Sequence, residues 1–103
     1  MHTKKISISV ALIQDGSSYI CLQRKNQPYN KYIEFPGGKQ LPGETESNCL
    51  IREIKEELDI NVTKFKFIGV IKHLYDDLLI KINVFKIFKY DGHIHSHEAR
   101  EII

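Results

Sequence analysis

From Lys4 to Gln14 the chain alternates. Ile6, Ile8, Val10 and Leu12 fall on one side of an extended backbone, and a period of two predicts a β-strand. Asp15-Gly16-Ser17-Ser18 is a turn signal. Tyr19 to Lys25 (YICLQRK) reads as a second strand, so the two predict a hairpin. NQPYNKY, residues 26–32, is a polar loop, and IEFPGG, residues 33–38, is a short extended piece stopped by Pro36 and its glycines. The period then changes. Leu50, Ile54 and Leu58 recur every four residues with Ile51 beside them, the stripe of an amphipathic helix. Thr45 is its N-cap, with Glu46 in the first turn where the dipole favours an anion. The helix closes near Asp59, where a left-handed residue is needed and Asp costs roughly 1 kcal/mol more than Gly. KFKFIGVIKHLY and LLIKINVFKIFKY flank Asp76-Asp77 and predict a second hairpin, with Phe85 and Phe88 as core. DGHIHSHEAR is turn and loop, and Ile102-Ile103 open a further strand. The sum is an α+β domain, a mixed sheet with one helix between two strand pairs.

Composition narrows the function classes. A chain of 103 residues is one domain, 1–103, and a net charge of +2 sets up no field for a nucleic-acid polymer or an anionic membrane. The longest apolar runs fall far short of the ~20 residues a bilayer span needs. MHTKKISISVALI resembles a leader faintly, but its alternation and the lack of a small-residue cleavage site favour a strand. Cys21 and Cys49 are isolated, as thiols are in a reducing compartment, so a cytoplasmic location is expected.

The chemistry concentrates on the helix. Glu53, Glu56 and Glu57 lie at i, i+3 and i+4, so at about 100° per residue they project from one face. Like charges at that spacing repel, and a hard divalent cation removes the repulsion. Mg²⁺ takes carboxylate oxygens and bridges to substrate phosphates. Arg52, four residues before Glu56, can pair with a carboxylate, and Glu44 stands just outside the helix's positive end. REIKEEL alone is also what a solvated acidic face looks like. The spacing to the preceding loop decides between the two.

Gly38 is followed by five residues and Glu44, by seven more and Arg52-Glu53, then by an aliphatic, any residue, and Glu56-Glu57. GKQLPGETESNCLIREIKEELDI, from Gly38 to Ile60, thus resembles the box of the Nudix hydrolases, and EFPGG before it is similar to the MutT-like branch. Every specified position agrees except Asp59, where the family has glycine. The resemblance implies a Nudix-type mixed sheet and cleavage of a nucleoside diphosphate linked to another group, with Mg²⁺ or Mn²⁺ as cofactor. It implies metal ligation by Glu53, Glu56, Glu57 and the Gly37 carbonyl, with a further glutamate from a later loop, Glu98, or Glu101 in its place. Glu53 is the candidate general base, or the residue that orients the water, and Arg52 and Glu44 are the supporting pair with structural and orienting roles. Arg24 and Lys25 are the candidate phosphate contacts. Glu34, Phe35 and Pro36 line the nucleotide pocket, and Gly38 lets the backbone approach closely. The expected reaction turns a nucleoside triphosphate, such as the oxidised purine 8-oxo-dGTP, into the monophosphate and pyrophosphate, a nucleotide-pool role linked to DNA repair. Alternatives are another X-linked nucleoside diphosphate or a non-catalytic nucleotide-binding module, although the latter is expected to lose the box acids that this chain keeps.

Two features stand outside that pattern. His93, His95 and His97 alternate, as an exposed loop or a transition-metal face would, and His73 and Tyr75 precede the Asp76-Asp77 turn. The family continues past this point with a last strand and a second helix. The chain is therefore expected to lack that C-terminal strand and helix, baring an apolar sheet face, and a shortened reading frame, a homodimer that covers the face and a minimal domain are the alternatives.

Overall fold

The computed structural model describes residues 4–24, 33–95 and 100–102, with 23, 24, 33 and 100–102 described through their backbone. The elements in order are β1 (Lys4–Asp15), β2 (Ser18–Tyr19), β3 (Leu22–Arg24), β4 (Ile33–Glu34), β5 (Gly37–Lys39), α1 (Glu46–Leu58), β6 (Asn61–Tyr75), β7 (Leu78–Asp91) and β8 (Arg100–Ile102). β1 runs parallel to β7, from Lys4 opposite Leu78 to Ile13 opposite Ile87, and β6 pairs antiparallel with β7. The far edge of β1 is shared. β5 takes Ile8 to Val10, and β2 takes Gln14 and Asp15. β4, β3 and β8 form a separate small sheet.

That shared edge explains two departures from the sequence reading. The β1–β2 hairpin is only two residue pairs long, because one strand edge holds one neighbour at a time and β5 occupies the rest. The YICLQRK strand therefore leaves after Ile20 and restarts as β3 in the other sheet. The glycines after Pro36 do not stop the extended piece. They carry it into β5, where Ala11 N–H donates to the Pro36 carbonyl at 2.8 Å.

α1 opens and closes as its sequence dictates. The Thr45 hydroxyl accepts from the Asn48 amide at 3.0 Å, and Asp59 is left-handed (φ 59°, ψ 35°), its N–H donating to the Lys55 carbonyl. The His95 N–H donates to the Leu58 carbonyl at 3.1 Å, satisfying another carbonyl at the helix end. Leu50, Ile54 and Leu58 pack on Ala11, Ile13, Phe85 and Ile87 to make the core. The core side of β1 is thus the small one, Ser9, Ala11 and Ile13, and the Ser9 hydroxyl donates to the Glu46 carbonyl at 2.9 Å. Ile8, Val10 and Leu12 face the opposite way and remain half-buried. β7 divides likewise. Phe85 is buried, but Phe88 is 50% exposed rather than core, since a three-residue step along a strand changes face. The Lys86 ammonium lies 5.6 Å from its ring.

Candidate active site

The helix end of the site begins with backbone geometry. Ala11 N–H bonds Pro36 and Gln40 N–H bonds Ser7, so the antiparallel alternation turns the Gly37 N–H and C=O away from β1. The Gly37 N–H donates instead to the Glu57 carboxylate at 2.7 Å. Glu57 is buried, 3% exposed, and this bond is one way its charge is met at that depth. Gly37 has φ 152°, and a Cβ there would collide with the Ser9 carbonyl oxygen. A Cβ on Gly38 would overlap the Glu53 carboxylate. Both glycines are therefore required by contact: Gly37 by the strand beside it, Gly38 by the acid above it.

Arg52 ties the loop to the helix. Its Nε and Nη2 donate to the two oxygens of Glu44 at 2.7 and 3.0 Å, and Nη2 also donates to the Lys39 carbonyl at 3.0 Å. Nη1 reaches Glu53 at 2.8 Å and Glu56 at 3.2 Å. Glu44 accepts a third bond, from the Leu41 N–H at 3.0 Å, and the Gln40 amide donates to the Glu44 carbonyl. The Arg52 bonds first, then the Leu41 amide, hold the Glu44 carboxyl down at about 2, and the same Glu44 bonds push the guanidinium's pKa up. Behind the loop, Cys49 donates to the Gly38 carbonyl at 3.4 Å, and burial raises its thiol pKa. It is a packing thiol, not a nucleophile.

These elements meet at a groove of about 950 Å³. Glu34, Phe35, Gly37, Gly38, Glu53 and Glu57 line one end, and Ile8, Val10, Leu12, Ile71, Ile82 and Val84 form the floor. Pro36 is fully buried behind the lining and contributes its carbonyl to the sheet. Glu56 is 50% exposed on the helix surface beside Arg52. Arg24 is described by its backbone in β3 and Glu101 by its backbone in β8, while Lys25, Glu98 and His97 lie outside the described residues. His93 and His95 are exposed, with His95 3.8 Å from Asp59, and the His73 and Tyr75 rings stand edge to face at 4.3 Å. The sequence reading missed the floor, Lys39 and Tyr19, which also line the groove. The alternation of Ile8, Val10 and Leu12 was the available signal.

The NUDIX domain model matches residues 3–99. The chain belongs to the Nudix family. An 8-oxo-dGTP diphosphatase from Buchnera aphidicola subsp. Schizaphis graminum is 34% identical over 85% of this chain, which spans 66% of that protein, just under two thirds. The CTP pyrophosphohydrolase of Escherichia coli is 26% identical over 97% of this chain and 75% of its own length. A solved structure of MutT, from Aliivibrio salmonicida or Vibrio cholerae, superposes with TM-score 0.78 at 27% identity, covering 96% of this chain and 77% of the other. The Nudix helix of this chain is α1, and two of the box carboxylates, Glu53 and Glu57, line the groove.

The donor set fits a hard divalent cation. It is all oxygen, it includes a buried carboxylate, and the Gly37 carbonyl lies outside the β1 ladder beside it. As the side chains stand, no three acidic, histidine or cysteine groups among the described residues converge on one point. Glu57 is turned to the Gly37 amide and Glu53 and Glu56 to Arg52, contacts that offset their mutual repulsion.

Proposed function

We propose that this Nudix protein is a metal-dependent hydrolase of nucleoside triphosphates, releasing the monophosphate and pyrophosphate, with an oxidised purine such as 8-oxo-dGTP as the first substrate to test. One observation carries the reading: the Arg52-held Glu53 and the buried Glu57 stand at one end of a groove whose floor is aliphatic. A charged chain of phosphates suits the acidic end once a cation is bound, and a flat base suits the floor.

In this mechanism Glu53, Glu56, Glu57 and the Gly37 carbonyl hold Mg²⁺ or Mn²⁺, with Glu98, or Glu101 in its place, as a further acid. When bound, the ion neutralises charge building on the phosphate oxygens and lowers the pKa of water. Glu53 accepts the proton of the attacking water. Arg52, fixed by both oxygens of Glu44, keeps the Glu53 carboxylate in one pose. Arg24 or Lys25 meets phosphate oxygens, and Glu34 and Phe35 meet the nucleoside. A cytoplasmic nucleotide-pool role belongs to the same reading, as does self-association over the half-exposed sheet face, which sedimentation velocity tests. No helix among the described residues is long and apolar enough to cross a membrane.

The similarity to a CTP pyrophosphohydrolase gives a specific reason to test a pyrimidine alongside the purine. The experiment is a panel of canonical and oxidised nucleoside triphosphates, nucleotide sugars and dinucleoside polyphosphates with Mg²⁺, scored for pyrophosphate and phosphate. Pyrophosphate from a triphosphate supports the proposal. A protein that cleaves none of the panel overturns it.

A further inference from the structure

We infer that Tyr19 is a positioning residue for base selectivity, acting by fixing the ring of Phe35 at the rim of the groove. The inference rests on the nucleotide reading above and assigns a part to a residue outside the Nudix box.

The shared edge of β1 creates the contact. Tyr19 stands opposite Gln14 in the β1–β2 pairing, so it shares the face of Leu12 and Val10. Phe35 precedes Pro36, whose carbonyl bonds Ala11, which carries the chain along the same β1 edge. Where β2 hands that edge over to β5, two aromatic side chains are left next to each other on the groove side. Their ring centroids are 6.5 Å apart at an interplanar angle of 81°, an edge-to-face pair. Both line the groove, and both remain open, Tyr19 at 42% and Phe35 at 43% exposure.

An exposed Phe ring on its own samples several rotamers. An edge-to-face neighbour restricts it, and a ligand that stacks on a pre-set ring loses less freedom on binding. The aromatic pair and the aliphatic side chains line the same groove, a lining that suits a flat heteroaromatic ring. Ring area and polarity differ between purines and pyrimidines, so a fixed rim discriminates between them better than a mobile one.

The test uses binding of nucleoside monophosphates, which needs no turnover, by titration calorimetry on wild type, Tyr19→Phe, Tyr19→Leu, Phe35→Leu and the double variant. Hydrolysis of the matching triphosphates is measured in parallel. Tyr19→Phe is expected to bind as wild type does. Tyr19→Leu is expected to weaken the preferred base about five-fold, the order of one aromatic pair, and the less favoured bases by less, so that selectivity narrows. KM rises while kcat holds, because the acidic end is untouched. In the Phe35→Leu background Tyr19→Leu adds nothing further. Equal weakening for every base, additive effects in the double variant, or a fall in kcat at unchanged KM each overturns the inference. If nucleotides bind but are not cleaved, the hydrolase reading fails while the selectivity result still decides the role of Tyr19. If the wild type neither binds a nucleoside monophosphate nor cleaves a triphosphate, both fail.

Discussion

Gly37 and Gly38 are neighbours in one strand, yet replacing each by alanine should damage different things. At Gly38 the new Cβ meets the carboxylate of Glu53, the far end of a flexible side chain. To regain ordinary contact that carboxylate must retreat by on the order of 1 Å, which pulls it from its 2.8 Å bond with Arg52. The backbone is not asked to move, so the melting temperature should stay within a few degrees of wild type. A catalytic group misplaced by about 1 Å costs on the order of 10²-fold in rate. At Gly37 the new Cβ meets the Ser9 carbonyl oxygen and the Val10 Cα, both backbone, at a φ of 152° that side chains rarely adopt. Here the β1–β5 pairing must open, at a cost of more than about 2 kcal/mol, which for a domain this size lowers the melting temperature by roughly 10 °C or more. Thermal unfolding and pyrophosphate release, measured on both variants, check the pair together. The reasoning is refuted if Gly38→Ala keeps its rate within a few-fold, or if it unfolds as readily as Gly37→Ala.

Three further outcomes follow from the same contacts. Arg52→Lys keeps the charge but loses the two-oxygen grip on Glu44 and the bond to the Lys39 carbonyl, so kcat should fall about ten-fold or more, with circular dichroism unchanged. The Glu44 carboxyl titrates at about 2 when folded against an ordinary value of 4.5, so its pairing stabilises the fold fully above the higher value and less and less as pH falls towards the lower. Urea midpoints between pH 5 and pH 2 should therefore drop more steeply in wild type than in Arg52→Met, and parallel curves would contradict this. Asp59→Gly relieves a left-handed aspartate at φ 59° and gives up an exposed ion pair with Lys55, so a net gain of about 0.5 kcal/mol and unchanged activity are expected in thermal unfolding and turnover assays.

Much of this was legible in the chain because local rules are strong where they act alone. Thr45 and Asp59 bound α1 as capping chemistry requires, and Asp76-Asp77 turns the β6–β7 hairpin. A period of 3.6 puts Glu53, Glu56 and Glu57 on one helix face without knowledge of what the helix packs on. Gly38, Glu53 and Glu57 at one end of the groove followed from their spacing. The floor did not. A strand with apolar residues on one face and Ser9 and Ala11 on the other does not announce that the helix prefers the small side, since that choice depends on how closely α1 approaches. Competition for one edge of β1, which splits β2 from β3 and sets Tyr19 beside Phe35, is a tertiary matter in the same way. Phe88 departs from the expected core because it lies three residues beyond Phe85 and so on the other face of β7.

The central claim is that the carboxylates at the groove mouth carry out hydrolysis. Its most direct test is the rate of pyrophosphate release from a nucleoside triphosphate at saturating Mg²⁺ by wild type, Glu53→Gln and Glu57→Gln. An amide at position 57 can still accept the Gly37 N–H, so the Glu57→Gln fold is expected to persist. The account predicts turnover by the wild type and a loss on the order of 10²-fold or more in each variant, with the fold retained. Full rates in both variants would contradict it.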